Sequence, residues 1–149
     1  MHIQKLIKIQ EQLKNGGENM QIELFSLCDA ATADAGKMNI LGIFDTINTT
    51  KMPAVHPQCT IALRLRFSAM EAGAHNIQVD FVNADGKYII PSAKGRINVN
   101  ISKDSMSGIA NLILNIQGLK LEKYGEYAVR LAVDGRQEGV SLPLIVKKK

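Results

Sequence analysis

At 149 residues and 16.3 kDa the chain fits one domain. A composition 46% hydrophobic and 21% charged excludes intrinsic disorder, two cysteines exclude a disulfide-dense secreted scaffold, and no apolar run spans a bilayer. The net charge of +4 sits at the ends: residues 1–19 carry +1, Lys147, Lys148 and Lys149 carry +3, and residues 20–146 balance twelve basic against twelve acidic side chains. A folded body without a basic face, and without tryptophan, argues against nucleic-acid binding.

Residues 1–19 read unlike the rest. Ile3, Leu6, Ile7 and Leu13 fall at helical spacing, and Asn15-Gly16-Gly17 would stop such a helix. An amphipathic segment on a membrane surface or partner is one reading. A disordered tail is a second. The third is a translated leader: Gly16-Gly17-Glu18 is encodable as a purine-rich ribosome-binding sequence upstream of Met20, which makes Met20 the expected native start and 20–149 the domain.

From Gln21 the period is two. Strands are expected at 22–28 and 38–47, joined by a polar connection at 29–37. Cys59, Ile61, Leu63, Leu65 and Phe67 alternate with Thr60, Ala62, Arg64 and Arg66. Ser68-Ala-Met-Glu71 has capping-box form, but Gly73 limits it to one turn. Ile77, Val79 and Phe81 lead to Asp85-Gly86, a hairpin turn that should return as an arm at 87–90 closed by Pro91. Ile97, Val99 and Ile101 form the next alternation, then Leu112, Leu114 and Ile116 at 109–117. Tyr127, Val129, Leu131 and Val133 precede Asp134-Gly135, a second hairpin turn into 139–147, where Pro143 suggests an edge strand. About nine strands with frequent turn signals describe an all-β antiparallel sandwich.

Gly125-Glu126-Tyr127 before a long alternating strand resembles the corner of immunoglobulin-like sandwiches, where the tyrosine hydroxyl returns to nearby backbone. In the lettering of such sandwiches, 58–67 is B, 75–83 C, 109–117 E, 126–134 F and 138–147 G. Neighbouring C and F would then set Asp80 and Arg130 on one wet face as an ion pair. Leu27-Cys28-Asp29-Ala30, the run from Gly36 to Ile47 and the Gly125-x-Tyr127 strand together resemble a family of small, uncharacterised bacterial immunoglobulin-like proteins. The resemblance covers residues 21–146 and implies a sandwich and a bacterial origin. It carries over no activity.

No chemical motif stands out. Cys28 and Cys59 lack C-x-x-C spacing and read as small buried hydrophobes in a reducing, cytoplasmic compartment. His56 and His75 read as solvated loop residues without a metal partner at i+2 or i+4; no metal and no cofactor is expected. Asp29, Asp34 and Asp45 lack a D-x-D-x-D calcium loop. Asn98, Asn100, Asn111, Asn115 and Gln117, with Arg64 and Arg66, read as a solvated sheet face.

Function on rigid strands usually resides in their connections. The lettering gathers 68–76, 102–108 and 134–138 at one end, bringing together Met70, Glu71, His75, Asp104, Met106, Arg136 and Glu138. The leading expectation is a non-catalytic binding or assembly module presenting this loop end, or an open sheet edge, to a protein partner or a second copy. Two rivals stay open: a small-ligand carrier, which needs an apolar cavity of several hundred Å³, and an enzyme pairing His75 with Glu71 or His56 in a cleft.

Overall fold

Strict alternation carries the middle of the chain into two facing layers. The structure, a computed structural model, describes residues 20–149; the expected extension or leader at 1–19 lies outside the described residues. Nine strands follow in order: β1 (Gln21–Asp34), β2 (Lys37–Ile43), β3 (Thr46–Thr49), β4 (Ala54–Ser68), β5 (Gly73–Asn83), β6 (Ala93–Val99), β7 (Ser107–Leu121), β8 (Gly125–Val133) and β9 (Arg136–Lys148). One sheet runs β2-β1-β4-β7 and the other β3-β9-β8-β5-β6. All pairings are antiparallel except β3 with β9. Between the layers lie Leu63, Phe67, Phe81, Leu131 and Leu144, none more than 2% exposed. The expected dry phase of β4, β5 and β8 is therefore the core, and its removal from water is the main stabilising term.

Several expected boundaries move, each for a local reason. The polar stretch at 29–37 is strand, not connection: β1 pairs with β4 as far as Cys28, then with β2 through Asp34. Its turn is Ala35-Gly36, with φ of 50° and 77°. This hairpin folds back over the outer face of its own sheet. Arg64 Nη1 donates to the Gly36 carbonyl at 3.0 Å, and outward-phase Thr60 and Ala62 are fully buried. The backbone inside the hairpin favours glycine at 42, where φ is +68° and an added Cβ would fall against the Asp29 carboxylate.

The single strand expected at 38–47 is two. Phe44 N–H bonds the Leu27 carbonyl of the first sheet, while the Asp45 carbonyl accepts from Ile145 of the second, so the chain changes layers between these residues. The arm expected at 87–90 is reduced to one bridge, Val82 to Tyr88, because the Asn83 side chain takes the Asp85 and Lys87 N–H groups. The turn at Asp134-Gly135 has both φ values positive, as expected. Strand β7 continues past residue 117: Gly118 at φ +65° shifts the buried phase from Ile116 to Leu119 and Leu121 while register with β4 persists. Pro143 does not make β9 an edge throughout, since β3 covers β9 from Ile145 onward. Strand β6, directly before β7 in the chain, pairs with β5 rather than with β7. Asp80 and Arg130 are register partners, but the Asp80 carboxylate accepts from Gln78 and Ser92 instead of forming the expected ion pair.

Candidate binding site at the loop end

The three connections meet at one end. Ser68 caps a single 3-10 turn, Ala69–Glu71, with its N–H and hydroxyl both directed at Glu71 Oε1 at 2.9 and 3.1 Å, the expected one-turn capping box. Ala69 N–H bonds the Met106 carbonyl at 2.9 Å, which ties this turn to the connection before β7. Asp134, in the β8–β9 turn, ties in the third: its Oδ2 meets His75 Nδ1 at 2.6 Å and its Oδ1 accepts from Asn76 N–H at 2.8 Å. The Asp134 N–H returns the bond to the Asn76 carbonyl at 2.8 Å.

His75 is the keystone, and it is not the solvated residue expected. Its ring stacks on fully buried Phe67 at 4.3 Å between centroids, and Nε2 lies 2.5 Å from the Glu71 carbonyl oxygen. Both ring nitrogens thus face acceptors, an arrangement only the imidazolium satisfies. Burial of the ring opposes that charge, but the bonds to the Asp134 carboxylate and Glu71 carbonyl outweigh it and hold the His75 pKa above its ordinary value. The same bond to His75 holds Asp134 below the usual carboxylate range, against a smaller cost of burial.

Of the residues singled out, Glu71 and His75 belong to this interlock, and Asp134, read as a turn residue, is its missing member. Met70 and Met106 stand 75% and 87% exposed on it. Asp104 and Arg136 are exposed and Glu138 is half-buried. The Arg136 charge helps to depress the Asp134 pKa. The end opposite is closed by the expected tyrosine corner: Tyr127 hydroxyl donates to the Lys123 carbonyl at 2.7 Å.

The pairings required of an enzyme do not form as drawn. His75 meets the backbone of Glu71, whose carboxylate is engaged by Ser68. His56 lies within β4, half-buried, its ring 5.6 Å from that of Phe44 and its buried Nε2 without a hydrogen-bond partner, so it too departs from the solvated reading. Beside the tyrosine corner a cleft of about 350 Å³ is lined by charged and aromatic side chains, among them Lys87, Tyr88, Lys120, Glu122 and Tyr124. The apolar slot between the sheets, reached between β6 and β7, holds only about 170 Å³, small beside a ligand cavity of roughly 300–1,000 Å³.

The outer face of β4 and β7, expected to be solvated, is a bonded network partly covered by the β1–β2 hairpin. Glu23 receives Arg64 and Arg66, Arg64 also donates to Asn111, Arg66 to Ser107 and Thr60 to Asn115. The bond from Arg66, opposed by burial and aided by Arg64, holds the Glu23 pKa below its ordinary value. Cys28 and Cys59 are free and fully buried, and burial pushes the Cys59 thiol up to about 11. Among the described residues no three His, Cys, Asp or Glu side chains cluster as metal ligands, and no helix is long and apolar enough to cross a membrane.

A family model described as a family of unknown function, DUF6941, matches residues 23–147. No curated protein matches the chain. Among solved structures, a β-glucosidase from Listeria innocua in complex with isofagomine is similar at 8% identity and a TM-score of 0.49, over 87% of this chain and 16% of that one. The alkylpurine DNA glycosylase AlkC of Pseudomonas fluorescens, bound to DNA containing an abasic site analog, is similar at 13% identity and a TM-score of 0.46, over 91% of this chain and 32% of that one. This chain therefore spans less than a third of either protein, and neither likeness carries an argument about its activity.

Proposed function

This chain belongs to the DUF6941 family, a family of unknown function, and we propose that it is a non-catalytic binding or assembly module that presents the loop end of an immunoglobulin-like sandwich to a protein partner. The observation that carries this reading is Met70 and Met106, 75% and 87% exposed on adjoining connections whose backbones are bonded to each other. Methionine offers an adaptable apolar contact, and loops already fixed by the His75–Asp134 pair and the Ala69–Met106 backbone bond lose little entropy on binding. The immunoglobulin-like assignment is supported by the tyrosine corner and by the pairing of β4 with β7 opposite β9-β8-β5. A bacterial, cytoplasmic setting is part of the proposal, supported by the resemblance noted above and by two free thiols.

The test is affinity for whatever protein the tagged chain captures from its native cell. Replacing Met70, Met106 and Arg136 together by alanine is expected to weaken that complex roughly tenfold or more. Replacing Tyr88 and Tyr124, at the opposite end, should leave it unchanged. A loop-end variant that binds with undiminished affinity overturns the reading.

A further inference from the structure

Each sheet has two edges, and they are defended unequally. In the second sheet, β3 has only four residues and β6 carries Lys94 and Arg96. In the first sheet, β2 is part of the hairpin folded over the outer face. Strand β7 is different. It runs for 15 residues, and from Ser107 to Gly118 it contains no charged side chain and no proline. Alternate residues direct their N–H and C=O groups away from β4, and among the described residues no strand receives them. Natural sheets usually blunt such an edge with charge, proline or a bulge. Its beginning is covered, where Ile101 lies close against Gly108.

The centre of this open edge is a palindrome, Asn111-Leu112-Ile113-Leu114-Asn115. We propose that the chain associates with a second copy of itself by antiparallel pairing of β7 with β7, on a two-fold axis through Ile113. That axis sets Ile113 opposite its own copy, Leu112 opposite Leu114, and Asn111 opposite Asn115. Leu112 and Leu114 are half-buried and line the mouth of the 170 Å³ apolar slot, so their pairing carries the core across the junction. On the other face, each asparagine oxygen is engaged within its own chain, Asn111 by Arg64 at 3.1 Å and Asn115 by Thr60 at 2.9 Å. The side-chain N–H groups are thereby turned into the available donors, and each oxygen keeps a second lone pair to receive them across the axis.

A foreign strand would have no need of this symmetry; a second copy matches it residue for residue, with no like charges brought together. The contact is isologous, so it closes on itself and removes the exposed edge from both copies. It is independent of the loop-end reading, since Met70, Met106 and Arg136 lie outside the paired segment.

Sedimentation equilibrium of the full chain through the micromolar range tests it. The expected result is a monomer–dimer equilibrium, weakened roughly 100-fold by Ile113→Lys and likewise by Ile113→Glu, because each sets two like charges across the axis. Mixing the two variants should restore association as a heterodimer. Asn115→Lys, at an exposed position, places a lysine opposite Asn111 of the copy and should also weaken the dimer, which keeps the test open should substitution at 113 unfold the chain, with far-ultraviolet circular dichroism reporting the fold. A monomer at every concentration overturns the proposal, as does a dimer unaffected by these folded variants.

Discussion

At one end of the sandwich, Tyr127 closes a single connection on itself, its hydroxyl donating to Lys123 four residues earlier. At the other, His75 and Asp134 join two connections across 59 residues of sequence, and the bond from Ala69 N–H to the Met106 carbonyl joins the third. The first lock is neutral and local. The second is ionic, and it gathers residues that only the completed fold brings near. The difference teaches that the end displaying Met70 and Met106 is held by tertiary structure: its geometry exists only when both sheets are in place, whereas the tyrosine corner depends on one turn and the strand that follows.

Phe67→Ala should break this contrast most forcefully. Phe67 is fully buried and also floors the loop end through its stack with His75. Its truncation should cost about 3–5 kcal/mol in denaturant unfolding. In hydrogen exchange, residues 71–76 should lose more protection than residues 123–127; equal loss at both ends would show that the two locks are not separable. Tyr127→Phe acts at the other end and keeps the ring in the core. Losing the hydroxyl that Lys123 bonds through both its carbonyl and its N–H should cost about 1–2 kcal/mol, with residues 71–76 unaffected.

The same contrast governs what could be read from the sequence. The tyrosine corner was legible because its residues are neighbours, and β4, β5 and β8 were legible because large apolar side chains alternate with small or polar ones along each. The gathering of the loops followed from strand order. Their ties did not, because Asp134 looks like any turn aspartate until His75 is brought beside it. The hairpin of β1 and β2 was hidden for two reasons. Its turn uses Ala35, which rarely adopts positive φ, and its strand at 29–34 is too rich in Ala, Thr and Asp to resemble one. The change of sheet at Phe44 and Asp45 left no trace because apolar residues continue on both sides of it, through Ile43, Phe44 and Ile47.

The smallest expected effect separates the two locks by pH. Because the folded state raises the His75 pKa, the stability it contributes is complete below the unfolded histidine value of about 6.5, and is lost as pH rises through the raised value. Because the folded state lowers the Asp134 pKa, its contribution is complete above the unfolded value of about 3.9, and is lost as pH falls through the lowered one. The ionic lock is therefore whole between roughly pH 4 and 6.5. His75→Phe, which keeps an aromatic ring over Phe67, should destabilise the chain more at about pH 5.5 than at about pH 8.5. The Asp134 carboxylate is 44% exposed and screened by solvent, so the difference should be smaller than the whole effect of Tyr127→Phe. Tyr127→Phe breaks a neutral hydroxyl–carbonyl bond and should cost the same at both pH values. Urea unfolding of the three proteins at each pH measures it, and a His75→Phe penalty that grows as pH rises would mean the ring is held uncharged, against the two acceptors it faces.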